Sequence, residues 1–563
     1  MERRVIWAII LMMGIAIAPT FFLEPPKKPA PASARPSARG ERDSGSVAPS
    51  DSAAAAPSSE LAAASPAQGL EASRSPVDSV VVSSPLYRYV LSTRGAALVQ
   101  ASLLNYRTLG PDGRGDPVRL VQDGDRLHQL ALTAGRDTVQ LADWDFQASA
   151  SVVDVKGPES VTFTASRGGV SVEVSYRFEP GDYQIGVQGR VSGMGPAGGH
   201  LLIDMGDGMR QTEADSAGNW YEYGIVAKTT ESDLTKFSEF DAGETMTLAG
   251  PFEWAAVKSK YFVAALLAID SGSAQVSGVV ATAAPDQKSI TRVATTFGMP
   301  VDGGGLFGYR LYVGPMEYPR LRAIGHDFYD INPYGWPGFR TMIRPIAVAA
   351  RWLLVWMHEH LHMAYGMVLV AFGIMIRILL WPLNQKGMRA SIRMQALQPE
   401  MQRLQDQYKN DPQRMQQEVM QLYRREGVNP MSGCWPVLLP WPILLALFFV
   451  LANTIELRGQ PFLWLPDLSL KDPLYIIPVL MGVSMFGVSK VGMMGMPPTP
   501  QTKMMLYIMP VMMTVLFVNF ASGLNLYYFV QNVVSIPQQW YLAKERLKAR
   551  PPEPPAPVKK SKK

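Results

Sequence analysis

Residues 364–386 read AYGMVLVAFGIMIRILLWPLNQK, an apolar run long enough to cross a bilayer with one charge inside it, Arg377. A helix needs about 20 consecutive apolar residues to span a hydrocarbon core. An arginine there costs roughly 2.5–3.5 kcal/mol on insertion scales, so it must be paired, hydrated or snorkelling. Arg377 stands five residues before Pro382, about 7–8 Å along a helix axis. A long side chain reaches an interface from that depth. Snorkelling and a water-facing functional role therefore both fit its position. None of the five apolar runs from 364 onward contains Asp or Glu, so the sequence shows no intramembrane partner.

Four more apolar runs follow, at about 434–453, 473–489, 504–520 and 522–542, and another opens the chain at 5–23. Six spans are expected, with both termini on the cytoplasmic side. The loop 384–430 and the tail from 543 each carry eight Lys/Arg, whereas 454–472 carries only Arg458 and Lys471. That asymmetry is the positive-inside pattern. Ala16-Ile17-Ala18 resembles a cleavage site. Pro19 and the apolar residues through Leu23 favour an uncleaved anchor over 1–23. Prolines recur in the later runs (Pro436, Pro440, Pro442, Pro478, Pro510, Pro537). They predict bent helices whose freed carbonyls meet neighbours or water.

Between the first two apolar runs the composition changes twice. Residues 24–76 are dominated by Pro, Ala and Ser without apolar periodicity, as in a disordered tether. Residues 77–335 alternate short β-branched and aromatic runs with Gly, Asp and Pro. Val172, Val174 and Tyr176 show period two. A large antiparallel β-sandwich outside the cytoplasm is expected. Cys434 is the single cysteine, so this domain folds without disulfides. Residues 336–362 are expected to form an amphipathic helix in the outer interface, with Arg344 and Arg351 interrupting its apolar residues. A net charge of +5 and 18% charged residues leave no global nucleic-acid footprint, and DNA is not an expected partner.

Four polar features could carry function. In 384–430, Leu397, Met401, Leu404 and Tyr408, then Met415, Val419 and Leu422, fall at helical spacing, with Asp411 and Pro412 starting the second helix. The seam of this cytoplasmic hairpin either joins the two helices or docks other apolar segments. His358-Glu359-His360-Leu361-His362 is formally H-E-x-x-H, the zinc protease pattern. A membrane-anchored metalloprotease using His358, Glu359 and His362 is thus the alternative reading. A catalytic zinc needs a third protein ligand, and no His follows His362. The basic tail, 546–563, suits anionic lipid or RNA. The last two runs hold Asn519, Asn525, Tyr528, Gln531 and Asn532. They read as interhelical glue or as the lining of a wet groove opposite Arg377.

IRILLWPL around Arg377, NPMSGCWPVLLPWPI at 429–443, ELRGQPFLWLPDLSLKDPLYIIPVLMG at 456–482 and SGLNLYYFVQN at 522–532 together resemble the YidC/Oxa/Albino membrane-protein insertase family. The β-rich region, with STRGA at 92–96, resembles the periplasmic domain of its Gram-negative members. The resemblance implies an α-helical polytopic inner-membrane protein with a five-helix core, 363–545, plus an all-β periplasmic supersandwich. It implies a hydrophilic groove holding Arg377, a chaperone-like role towards nascent membrane proteins, and help from the Sec translocon and ribosome. No cofactor and no covalent chemistry are expected. The sequence departs from common members at Pro440 and Ser489, where a Gln is frequent. This shifts the expected polar lining towards the last hairpin.

Overall fold

The computed structural model describes residues 79–134, 137–193, 199–268, 275–287, 289–334, 339–408, 411–427, 441–495 and 500–548. The expected anchor 1–23, the tether 24–76 and most of the basic tail lie outside these residues. The chain divides into two compact units, Met1–Gly314 and Pro315–Lys563.

The first unit is built from β-strands. Its described strands form sheets of five, nine and six strands. Strand Val170–Phe178 shows why. Val172, Val174, Tyr176 and Phe178 are buried while the residues between them are not, as period-two alternation requires. It pairs antiparallel with Glu159–Arg167 and with Gln184–Ser192. Opposite Val174 stands Gly189, where an added Cβ would overlap the Phe307 ring; glycine here admits an aromatic from the neighbouring strand. One pairing departs from the expected antiparallel pattern: Ser79–Ser83 runs parallel to Val152–Asp154. Side chains tie one sheet to another. The Tyr89 hydroxyl donates to the Val313 carbonyl at 2.7 Å, and the Tyr176 hydroxyl to that of Ala96 at 2.8 Å. Between them His128 is wholly buried, with Nε2 2.6 Å from the Tyr309 hydroxyl and Nδ1 3.3 Å from that of Tyr176.

The second unit is helical. Helix Arg340–Leu361 matches the expected interfacial segment. It buries Ile343, Ala347, Ala350, Leu354 and Met357 and leaves Trp352 and Trp356 exposed and stacked. Arg351 does not interrupt the buried face but belongs to it. It is 2% exposed and donates to Tyr334 Oη at 3.1 Å, to the Met316 carbonyl at 2.9 Å and to both Glu456 oxygens at 3.3 Å. Helix Tyr365–Ala396 carries Arg377 and continues without a break into the hairpin expected at 384–430. In that hairpin Asp411 caps Pro412–Arg425 by accepting from Arg414 N at 3.1 Å. The seam joins the two helices through buried Leu422 and a Tyr423 hydroxyl contact to Met401 Sδ.

Helices Trp441–Asn453, Ile476–Gly492 and Ser522–Lys548, here the third, fourth and last helices in the order of the expected spans, complete the core, with a composite fifth element. This element is Pro500–Lys503, a π-helical turn Met504–Ile508 and Met509–Phe517. The irregular turn runs up to Pro510, which has no N–H to donate. Asp472, fully buried, fixes the start of the fourth helix by accepting from Leu474 N and Ile477 N. The last helix begins at the tight Ser522-Gly523 turn, whose amides donate to the Leu470 and Leu468 carbonyls.

Six full-length spans are not confirmed among the described residues, which leave out 1–23 and 428–440. Among the described residues one helix, Tyr365–Pro382, is long and apolar enough to cross a bilayer by itself. Pro442–Asn453, Ile476–Gly492 and Met504–Phe517 are apolar but shorter.

Candidate functional site around Arg377

Arg377 sits mid-helix with its side chain half-buried. Its Nε is enclosed and has no hydrogen-bond partner, and no ion pair reaches its guanidinium among the described residues. Beside it lies the last helix. Gly373, one turn before Arg377, lets that helix approach closely: an added Cβ would stand 3.1 Å from Val530 Cγ1 and 3.7 Å from Tyr527 Cδ2. Gln531 Nε2 donates to the Gly373 carbonyl at 2.8 Å, and Gln538 Nε2 to the Trp381 carbonyl at 3.2 Å. Tyr527 packs on Phe372 and lies beside Gly373, one turn before Arg377. On an open side of the same helix, Ala371, Ile374, Met375, Ile378 and Leu379 line a shallow apolar cleft.

The expected groove residues divide. Gln531 is brought against the helix of Arg377. Tyr528 packs edge-on to Phe517 and beside Tyr527, one turn from Gln531. Asn532 donates to Ser484 Oγ at 3.2 Å and to the Met481 carbonyl at 3.4 Å, joining the last helix to the fourth. Asn525 is fully buried and donates to the Phe517 and Phe520 carbonyls in the hairpin turn. Asn519 is exposed in that turn. Tyr527 and Gln538 were not singled out in the sequence. Gln538 lies seven residues after Gln531, and that two-turn spacing was the available signal. Pro440 is outside the described residues, and the Ser489 carbonyl accepts from Met493 N at the end of the fourth helix.

The HEHLH segment closes helix Arg340–Leu361. His358 Nδ1 lies 2.8 Å from the Met363 carbonyl and its ring stacks on Tyr365 at 3.9 Å. His360 stacks on Trp356. His362 is the C-cap, in the left-handed region at φ 52°. No group of three His, Cys, Asp or Glu that could hold a metal ion occurs among the described residues.

Comparison with known proteins supplies the context of this geometry. Residues 356–550 match the family described as 60Kd inner membrane protein, and residues 79–348 match the YidC periplasmic domain. A membrane protein insertase YidC of Syntrophus aciditrophicus is 32% identical, with 97% of this chain and all of the relative aligned. The chain belongs to the YidC family of membrane protein insertases. A YidC insertase of Geotalea daltonii is likewise 32% identical over 97% of this chain and 99% of its own length. Among solved structures, an active YidC insertase with its first transmembrane domain resolved aligns with 83% of this chain and 93% of its own. It does so at 17% identity and a TM-score of 0.33. The matched families place a periplasmic β-domain before a helical inner-membrane region, in the same order as the two units here. The metalloprotease alternative gains no support from any of these relatives.

Proposed function

We propose that Arg377 is the point at which this YidC-family insertase holds the hydrophilic flank of a segment entering the bacterial inner membrane. The reaction is insertion of nascent membrane proteins, and it makes and breaks no covalent bond. The observation that carries the role of Arg377 is its enclosed Nε, without a hydrogen-bond partner, on a half-buried side chain in a helix long and apolar enough to span the bilayer. An arginine with no fixed counter-ion keeps its donors available for transient acceptors, acidic side chains or backbone carbonyls. Tyr527, Tyr528 and Gln531 supply the adjoining polar wall. Asn532 and Asn525 hold that wall in place, and Asn519 lies at its far end.

In this mechanism the hairpin 384–430 receives the segment at the cytoplasmic face. Its flank pauses at Arg377, and its apolar part moves out against the third and fifth helices into lipid. Burial of apolar surface and the membrane potential drive transfer. Six crossings, with 1–23 as anchor, 24–76 as tether and 77–335 in the periplasm, place both termini and the basic tail in the cytoplasm. The Sec translocon and the ribosome are proposed partners, the latter through the tail and the hairpin.

Arg377→Ala is expected to cut insertion of substrates with acidic translocated tails at least roughly tenfold, the order of one lost intramembrane charge contact. Protease protection of such a substrate in cells depleted of wild-type protein measures it. Normal insertion by a stably expressed Arg377→Ala chain would refute the role.

A further inference from the structure

We propose that Gln531 and Gln538 are positioning residues for Arg377, their amides pinning the backbone one turn before and one turn after it. This rests on the reading of Arg377 as the groove cation. The two glutamines are seven residues apart, so both face the same neighbour. That neighbour is the helix of Arg377: Gln531 reaches the Gly373 carbonyl at 2.8 Å and Gln538 the Trp381 carbonyl at 3.2 Å. Gly373, Arg377 and Trp381 are spaced by four and lie along one ridge of their helix. The Gly373 carbonyl is also the acceptor of the Arg377 N–H in the helical ladder. The arginine therefore leaves its helix between two fixed points.

The alternative direction is close at hand. Ile378 and Leu379 are 63% and 68% exposed and belong to the open apolar cleft on an adjoining side. Consecutive residues are about 100° apart around the axis, so rotating the helix by that much would turn Arg377 towards the apolar cleft. Two pins on the facing helix oppose such rotation, and the bare Gly373 backbone lets that helix stay within their reach. The chemistry of the pins also matters. A carboxamide holds a carbonyl without bringing a counter-charge, so Arg377 keeps its full attraction for an incoming acidic group. Gln538 is 1% exposed, and its Oε1 is enclosed without a partner, as expected of a side chain placed for its donor.

The test has two arms in the full-length protein. In the first, Arg377→Cys is made with Cys434→Ser, and modification of the new thiol by a membrane-impermeant maleimide is timed in inverted membrane vesicles. Adding Gln531→Leu and Gln538→Leu is expected to slow labelling at least roughly fivefold, the order of two lost intramembrane hydrogen bonds. A rate unchanged within about twofold would overturn the positioning claim. In the second arm Arg377 is retained and one substrate is compared with acidic and with neutral translocated tails. Removing the Gln538 pin alone, which leaves the groove wall intact, should lower insertion of the acidic form roughly fivefold and of the neutral form less than about twofold. Equal losses would mean a merely structural role. If the double variant does not accumulate, Gln538→Met, of similar volume, is carried through both arms with the same criteria. Should Arg377→Ala spare the acidic substrate while labelling still slows, the groove reading fails and the pins stand.

Discussion

Removing the charge of Arg351 should destabilise the helical unit far more than removing the pair it belongs to. Arg351 is 2% exposed, and the Glu456 side chain is 10% exposed. Burial works against the charge on Arg351. Glu456 and the Tyr334 hydroxyl outweigh it and hold the guanidinium above the ordinary arginine range. Arg351→Met would leave Glu456 enclosed beside helix Arg340–Leu361, with Tyr318 N at 3.1 Å as its remaining donor among the described residues. Loss of one member of a buried pair costs about 3–5 kcal/mol. Glu456→Gln in the same chain removes the orphaned charge and keeps an acceptor for Tyr318 N. The double variant should therefore recover about 1–3 kcal/mol relative to Arg351→Met alone. The assay is thermal unfolding of purified protein in detergent, with the four members of the cycle measured side by side. A double variant no more stable than Arg351→Met, or a coupling below about 0.5 kcal/mol, would refute the reasoning.

Two further predictions concern the β-domain, where pH is the perturbation. Burial, with Asp125 and Asp207 nearby, pushes Asp204 up to about 6, against a bond from Gly206 N that lowers it. A carboxyl raised in the folded state is most favourable to folding below its unfolded value, and that advantage is lost as pH rises through about 6. Asp204→Asn, which keeps the acceptor for Gly206 N, should thus raise the melting temperature at pH 7.5 by the equivalent of about 1–2 kcal/mol. It should give almost no gain at pH 4, and an equal gain at both would count against the assignment. His128 is held down to about 3 by burial, partly offset by a backbone hydrogen bond. Its stabilising contribution is complete above the unfolded value near 6.5 and is lost as pH falls towards 3. Its ring resonances should stay those of neutral imidazole from pH 8 to 5, and a midpoint near 6.5 would show that the ring is not enclosed.

Local pattern carried much of this protein. The run around Arg377, the alternation of Val172, Val174 and Tyr176, the Asp411-Pro412 helix start and the tight turn before Gly523 are all statements about neighbours in sequence. Periodicity and capping chemistry suffice for such features. The same local reading misjudged Arg351, whose counter-ion Glu456 lies 105 residues away in a loop. The H-E-x-x-H spacing of HEHLH could not by itself separate the zinc alternative from its use here, where His358 and His360 stack on aromatic rings at a helix end. The bounds of the apolar helices show a related limit. Hydropathy reports apolar length, whereas helix length also depends on where Pro510, Asp472 and the Ser522-Gly523 turn start and stop the ladder.

The division is clearest at the site. That an arginine stands in an apolar helix, with polar residues on the last helix, is written in the order of residues. Which of those polar groups faces it depends on how two helices rotate and approach. That was decided by Gly373, where the missing side chain admits the last helix, and by the carbonyls its glutamines reach. Such contacts join residues more than 150 positions apart. No local period records them, because an amide that caps a neighbour's carbonyl and one that faces water have the same spacing in the chain.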